Sequence, residues 1–233
     1  MAGTTDAPSL YLGNISPGTI RVEFAQSIQR ALLSEAARGC VYHVAGPYLD
    51  IARNEVCTQF LNETTADYLL FVDSDISFEV EHVKTILADT HRMSSNSKHG
   101  AVVGGLYYGG ANSYGTDRRG TMPIAYRWGV CEDNSTAAGS AIHVSLADDD
   151  PRLAATEPQI VSAVGTGFMC IPRKVLELFA EHYENPTPYF AQVVLDGVWM
   201  GEDLTFCVRA EALGVPVYLA PHVRVRHWKM TVV

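Results

Sequence analysis

Apolar residues along the chain fall into short unbroken runs, and stretches of helical spacing separate them. Ser9 to Ile15 reads as a first strand, closed by the turn-forming Ser16-Pro17-Gly18. Val22, Ala25, Ile28, Leu32 and Leu33 then recur at helical intervals, which predicts a helix over Val22 to Ala37, ended by Gly39. Cys40 to Ala45 is a short second strand, broken by Gly46-Pro47, and Ile51 to Leu61 is a second helix. Tyr68-Leu69-Leu70-Phe71-Val72 is apolar throughout and rich in aromatic and branched residues, the pattern of a strand buried on both faces. Phe78 to His91 reads as a third helix, Ser94 to His99 as a polar loop, and Ala101 to Gly105 as another buried strand opening onto Tyr107 and Tyr108. Strands alternating with helices predict an α/β fold with a doubly wound, mostly parallel sheet.

The pattern changes after Gly109. As far as Glu157, glycine, serine, threonine and aspartate dominate, with strand-like pieces only at Ile124 to Val130 and Ala141 to Val144. A small antiparallel portion amid irregular structure is expected there, and so long an excursion in a compact domain is usually functional. Ile160 to Val164 leads into Gly165-Thr166-Gly167, and Phe168 to Ile171 forms another strand-like piece. A proline-started helix over Pro172 to Tyr183, a helix over Leu204 to Leu213 ended by Gly214, and a last strand over Val215 to Ala220 complete the pattern. Arg224 to Lys229 is a basic, aromatic tail. The expectation is one domain over residues 9–228, with halves at 9–108 and 109–228.

The 233 residues, 47% hydrophobic and 18% charged, are enough to bury a sizeable core. A formal net charge of -9 disfavours general nucleic-acid affinity. Cys40, Cys57, Cys131, Cys170 and Cys207 are dispersed without a C-x-x-C pair, which suggests reduced thiols in a cytoplasmic protein. Met1 to Pro8 is polar, and no apolar run is long enough to span a bilayer, so neither a signal peptide nor a membrane helix is expected.

The apolar run at Tyr68 to Val72 stops on Asp73-Ser74-Asp75. Carboxyl ends of such strands open onto the ligand crevice of an α/β sheet. Two carboxylates there repel each other, and a hard cation, Mg²⁺ or Mn²⁺, removes the conflict and brings substrate phosphates with it. The plainer alternative is a helix cap at Asp73 and a solvated Asp75. Trp199-Met200-Gly201-Glu202-Asp203 places two acids at a helix start, where they serve the helix dipole or act as a general base. His227, in Val225-Arg226-His227-Trp228-Lys229, is either a surface residue or the imidazole of a mixed oxygen and nitrogen site suited to Mn²⁺. Gly165-Thr166-Gly167 lets backbone approach a ligand, or simply makes a tight turn.

This order of motifs resembles the GT-A fold of nucleotide-sugar glycosyltransferases, especially small stand-alone family-2-like members of viral or bacterial type. The resemblance covers roughly residues 9–228. It implies a nucleotide-binding first half and a catalytic, acceptor-binding second half. By the same likeness, Asp75 binds a divalent metal, with Asp73 on the ribose or the metal's water shell and His227 completing the set. Arg53, in Ile51-Ala52-Arg53-Asn54, resembles an Arg-Asn pair that begins the helix before the Asp-x-Asp strand, and would hold base or phosphate. Ser16 and Pro17 stand where the family has a nucleoside-cradling turn, although Gly13-Asn14-Ile15-Ser16-Pro17-Gly18 departs from the usual Pro-Thr-Tyr-Asn-like sequence. Gly165, Thr166 and Gly167 would line the donor sugar, and Trp199 would stack on a sugar face. Asp203, with Glu202 beside it, resembles the acid pair whose aspartate deprotonates the acceptor. The implied activity is transfer from a nucleotide sugar, UDP-linked by preference, to a glycan, a protein, a lipid-linked sugar or a modified nucleobase, with inversion. Arg118, Arg119, Arg224, Arg226 and Lys229 would make a basic edge for a nucleic-acid acceptor, which the overall charge disfavours. A cytoplasmic location is expected, that of the host if the source is viral. Two other classes stay open: a nucleotidyltransferase or sugar-nucleotide pyrophosphorylase, and a non-catalytic nucleotide-sugar-binding module.

Overall fold

The computed structural model describes residues 7–44, 46, 48–110, 121–130, 139–184 and 187–228. Arg118, Arg119, Lys229 and Cys131 lie outside them. The first half runs β1 (Leu10–Ser16), α1 (Val22–Leu33), β2 (Gly39–Val44), α2 (Leu49–Glu63), β3 (Tyr68–Val72), β4 (Ile76–Ser77), α3 (Val80–Ser95) and β5 (Val102–Leu106). The middle holds short strands β6 (Tyr108–Gly110), β7 (Thr121–Pro123), β8 (Ala125–Val130) and β9 (Ala141–Ser145), then a 3₁₀ turn at Pro151–Ala154. After these come β10 (Gln159–Ile160), β11 (Ala163–Val164), β12 (Phe168–Pro172), α4 (Arg173–His182), β13 (Val193–Leu195), β14 (Val198–Met200), α5 (Glu202–Ala212), β15 (Val217–Arg224) and β16 (Arg226–His227).

Seven strands form the central sheet in the order β10-β15-β5-β12-β3-β1-β2. β2, β1 and β3 are parallel to one another, as are β5 and β15. β12 runs antiparallel between β3 and β5, and β10 lies antiparallel at the edge. Every residue of β3 and β12 is buried because helices cover both faces of the sheet, which is why their sequences are unbroken apolar runs. On one face α2, α4 and α5 meet around Phe60, Phe179, Phe190 and Phe206, with Phe206 stacked on Phe179 at 4.8 Å and on Phe190 at 4.7 Å. On the other, α1 and α3 bury Phe24, Phe78, Ile86 and Phe168. The expected doubly wound α/β sheet with a smaller antiparallel portion is present.

Three local differences have physical causes. The apolar spacing of α1 continues to Ala37, but the helix stops at Leu33. Glu35 takes a left-handed φ of +58°, and the amide of Ala37 returns to the carbonyl of Ala31, so Ala37 reaches the core by a reversal rather than another helical turn. Pro172 is the last residue of β12 and caps α4 from outside, so it does not start the helix as expected. The pair β13 and β14 is a hairpin with Asp196 and Gly197 both at positive φ, +50° and +80°, the conformation Asp-Gly favours between twisted strands.

Among the described residues, Cys57, Cys170 and Cys207 are free and buried, and Cys40 is free and exposed. Arg224 is exposed and donates to the carbonyls of Pro221 and Leu153. No described helix is long and apolar enough to cross a membrane.

Candidate active site

Asp73-Ser74-Asp75 leaves the end of β3 as a tight turn. The amide of Ile76 closes back on the carbonyl of Asp73 at 2.9 Å, while the amide of Asp73 is held by Gly167 at 3.1 Å. The two acids then part company. Asp73 Oδ1 accepts from Arg53 at 3.3 Å, whereas Asp75 Oδ2 lies 3.1 Å from His227 Nε2.

The C-terminal segment is what brings His227 there. β16 pairs antiparallel with β4, setting His227 opposite Ile76, and the amide of Trp228 donates to the carbonyl of Asp75. The indole of Trp228 donates to Ser77 Oγ at 2.8 Å, fixing the segment a second time. His227 Nδ1 lies 2.8 Å from the carbonyl of Tyr108, and since a carbonyl only accepts, Nδ1 is the donor. That turns Nε2 to Asp75.

A cleft of about 760 Å³ opens over this turn, with Ser16, Pro17, Arg21, Arg53, Asp73, Asp75 and Trp228 in its wall. It is large enough for a nucleotide. Arg21 and Trp228 were not anticipated. The guanidinium of Arg21 sits 5.8 Å over the Trp228 ring, and neither position carries a local sequence signal beyond its proximity to Gly18 and His227.

Arg53 connects the strand-end acids to the helix-start acids. It is buried on α2, donates to Asp73 with Nη2, and pairs through Nη1 with Glu202. Burial opposes its charge, but Asp73, Glu202 and Asp203 outweigh that, so the guanidinium stays charged. The neighbouring Asn54 ties α2 to the approach to the hairpin: its amide donates to the carbonyl of Phe190 at 2.7 Å and its oxygen accepts from Tyr189 at 3.0 Å.

Gly201 is the N-cap of α5, so Glu202 and Asp203 form its first turn rather than its cap. Asp203 Oδ1 accepts from the amide of Leu204 at 2.8 Å. Burial, reinforced by Glu202, pushes the Asp203 carboxyl up to about 6 despite the opposing pull of Arg53. A carboxyl so placed can take up a proton near neutral pH.

Gly165 and Gly167 owe their identity to Tyr107. A Cβ on Gly165 would land on the Tyr107 hydroxyl and Ile124, and one on Gly167 would come within 2.8 Å of the Tyr107 ring. The buried hydroxyl accepts from the Gly167 amide at 3.0 Å, and the ring stands edge-on to His227 at 5.4 Å. Thr166 is buried between the two glycines. Tyr107 thus joins the small-residue turn to the histidine, a role its place in a glycine-rich loop did not reveal. Gly165→Ala should cost about 1–3 kcal/mol by overpacking in chemical denaturation. An unchanged unfolding midpoint would mean that Tyr107 moves freely. Trp199, on β14, is 51% exposed, and with Glu202, Asp203 and the 165–167 turn it lies outside the wall of the 760 Å³ cleft.

Among the described residues no group of three His, Cys, Asp or Glu side chains is gathered as a metal site. Asp73 faces Arg53, which leaves Asp75 and His227 as the pair a cation could join. Their 3.1 Å separation suits two adjacent ligands of one ion, since metal bonds of about 2.1 Å at right angles place ligand atoms roughly 3.0 Å apart. A Mg²⁺ or Mn²⁺ held by one or two protein groups takes its remaining ligands from phosphates and water, so the donor set fits.

No protein-family model matches the chain, and neither does any curated protein sequence. Among solved structures, A197 from STIV matches with a TM-score of 0.55 at 17% identity, over 97% of this chain and 96% of that one. GalNAc-T7, crystallised with UDP, GalNAc and Mn²⁺, matches with a TM-score of 0.54 at 12% identity, over 96% of this chain. This chain spans 44% of that protein's length. The sheet order, the helices on both faces and these two likenesses together give the chain a glycosyltransferase fold of GT-A type.

Proposed function

We propose that the protein is a metal-assisted glycosyltransferase that moves a sugar from a nucleoside diphosphate, UDP by preference, to an acceptor hydroxyl with inversion. The observation that carries this reading is the convergence, through Arg53, of the acids at the end of β3 with the acids that open α5. The presence of UDP, GalNAc and Mn²⁺ in the GalNAc-T7 structure supports the donor class.

Ser16 and Pro17 border the nucleoside, Arg53 and Arg21 offer positive charge to the diphosphate, and Asp73 orients Arg53 or reaches the ribose. Asp75 and His227 hold the divalent cation. When bound, that ion neutralises the charge gathering on the leaving diphosphate. Asp203 takes the proton from the acceptor hydroxyl as the hydroxyl attacks the anomeric carbon from the face opposite the leaving group. Glu202 keeps Arg53 in place and raises the proton affinity of Asp203. Gly165 to Gly167 and the exposed Trp199 border the sugar, and the acceptor is a glycan, a protein or a modified nucleobase.

Calorimetry of UDP with Mn²⁺ tests the cation site. Asp75→Ala should weaken Mn²⁺-dependent UDP binding by at least about tenfold, or about 1.4 kcal/mol, while leaving the unfolding transition in place. Unchanged affinity would remove Asp75 from the site. A donor-turnover assay separates the competing classes. A transferase releases sugar to water slowly, a nucleotidyltransferase consumes a nucleoside triphosphate plus sugar phosphate, and a binding module does neither.

A further inference from the structure

α5 carries Glu202 and Asp203 in its first turn and Glu211 near its other end. A helix of 11 residues separates its ends by roughly 15 Å. A second cleft, of about 300 Å³, lies at that far end. Among the described residues β11 pairs with β8 only through Ala125 and Tyr126, which leaves that edge of β8 without a strand partner beyond Tyr126. Arg127 and Trp128 border the opening, with Arg152, Ile160, Ser162 and Glu211 among the facing residues.

The indole of Trp128 is held like a plate. His143 backs it with ring centroids 4.2 Å apart and a tilt of 35°, and Trp128 Nε1 donates to Glu211 Oε2 at 3.1 Å across the cleft. The residue is still 38% exposed. A flat apolar face whose order is already fixed costs little to bury against a ligand.

The rim is polar but electrically balanced. Arg152 is bound by Asp150 through Nε and Nη2 at 2.9 and 2.7 Å, and Glu211 offsets Arg127. A phosphate or carboxylate would find no surplus positive charge. Hydrogen-bonding capacity nonetheless remains, in the second oxygen of Glu211 and in the Arg127 guanidinium, whose Nη1 donates to the carbonyl of Trp128. An apolar plate with donors and acceptors at its edge and no net charge matches a pyranose ring, which offers C–H groups on its face and hydroxyls around its rim. The cleft holds about one such ring.

We propose that this cleft is a subsite for a neutral pyranose, separate from the nucleotide cleft, where a glycan acceptor is held at a distance from the reacting hydroxyl. The acceptor role rests on the glycosyltransferase reading, but the sugar binding does not.

Saturation-transfer NMR and calorimetry on the full chain, with neither nucleotide nor metal, test it. The probes are free glucose, galactose, N-acetylglucosamine and N-acetylgalactosamine. At least one should bind with a Kd on the order of millimolar. Trp128→Ala should weaken it at least tenfold and Glu211→Gln severalfold, while Asp203→Asn should leave it unchanged. Trp128→Phe keeps a ring without the tie to Glu211. It should fall between wild type and Trp128→Ala, and it serves in place of that variant should Trp128→Ala not fold. Absence of binding by every sugar at high millimolar concentration overturns the proposal, as does wild-type affinity in both Trp128 variants. Sugar binding that depends on Trp128 in a protein that turns over no nucleotide sugar keeps the subsite and removes the acceptor role.

Discussion

Asp203→Asn is expected to fold, to bind nucleotide sugar with metal, and to transfer almost nothing. A general base acts only in the chemical step, so its loss lowers kcat and spares donor binding, by on the order of a hundredfold to ten-thousandfold. Gly201 caps α5, so asparagine at 203 removes no cap, and its side-chain oxygen can still accept from the Leu204 amide. The wild-type pH profile supplies an independent check. With the Asp203 carboxyl near 6 in the free protein, kcat/KM should drop tenfold per pH unit below about 6 and level off above it. Stability should move the other way. The folded state holds the Asp203 proton more tightly than the unfolded chain does, so this group's contribution is full below its ordinary value of 3.8 and is lost as pH rises through about 6. The asparagine variant has no charge to bury and should match or exceed wild-type stability at neutral pH. Near-normal transfer by that variant would leave Asp203 as helix electrostatics only. A product of retained configuration would move the chemistry to another group.

Much of the sheet was readable from the sequence because helices cover both faces. Tyr68 to Val72 and Phe168 to Ile171 must be apolar at every position; the first run ends with its strand, and the second ends one residue before its strand does, at Pro172. What the runs do not carry is direction: the same pattern serves β3, which is parallel to β1, and β12, which is antiparallel to β3. The β13 and β14 hairpin was not anticipated: Asp196-Gly197 stands between two apolar triplets, but its strands are only three residues each and lack a clean alternation. The site was less legible. His227 stands beside Asp75 because a two-residue strand pairs with a two-residue strand, too short to leave a periodic trace. The residues alone left it between a surface position and a mixed oxygen and nitrogen site, and the resemblance set it with Asp75. The glycines at 165 and 167 were visible, but their cause was not, because Tyr107 reaches them from a loop about 60 residues away. Charge pairing is equally non-local: nothing near Arg53 in sequence says that it will meet Glu202, 149 residues on.

That pairing carries the largest expected loss of stability. Arg53→Met should destabilise the fold by up to about 3–5 kcal/mol, because it removes the buried cation from among three part-buried carboxylates and leaves their charge unpaired. The methionine fills much of the same volume, so packing contributes little of the loss. Arg53→Lys should recover only part, since a single ammonium cannot reproduce the forked contact that reaches Asp73 and Glu202 from separate nitrogens. Arg53 also holds the Asp203 carboxyl down against burial and Glu202. Without it that carboxyl rises above 6, and the deficit relative to wild type should shrink as the pH is lowered and the acids become neutral. Adding Glu202→Gln to Arg53→Met should restore part of the loss, because one of the stranded charges is then gone. Chemical denaturation at several pH values reads all three effects together. An Arg53→Met protein within about 1 kcal/mol of wild type at neutral pH would show that solvent already screens these acids. The cluster would then be an open, hydrated rim, and the raised proton affinity on which the catalytic role of Asp203 depends would lose its physical cause.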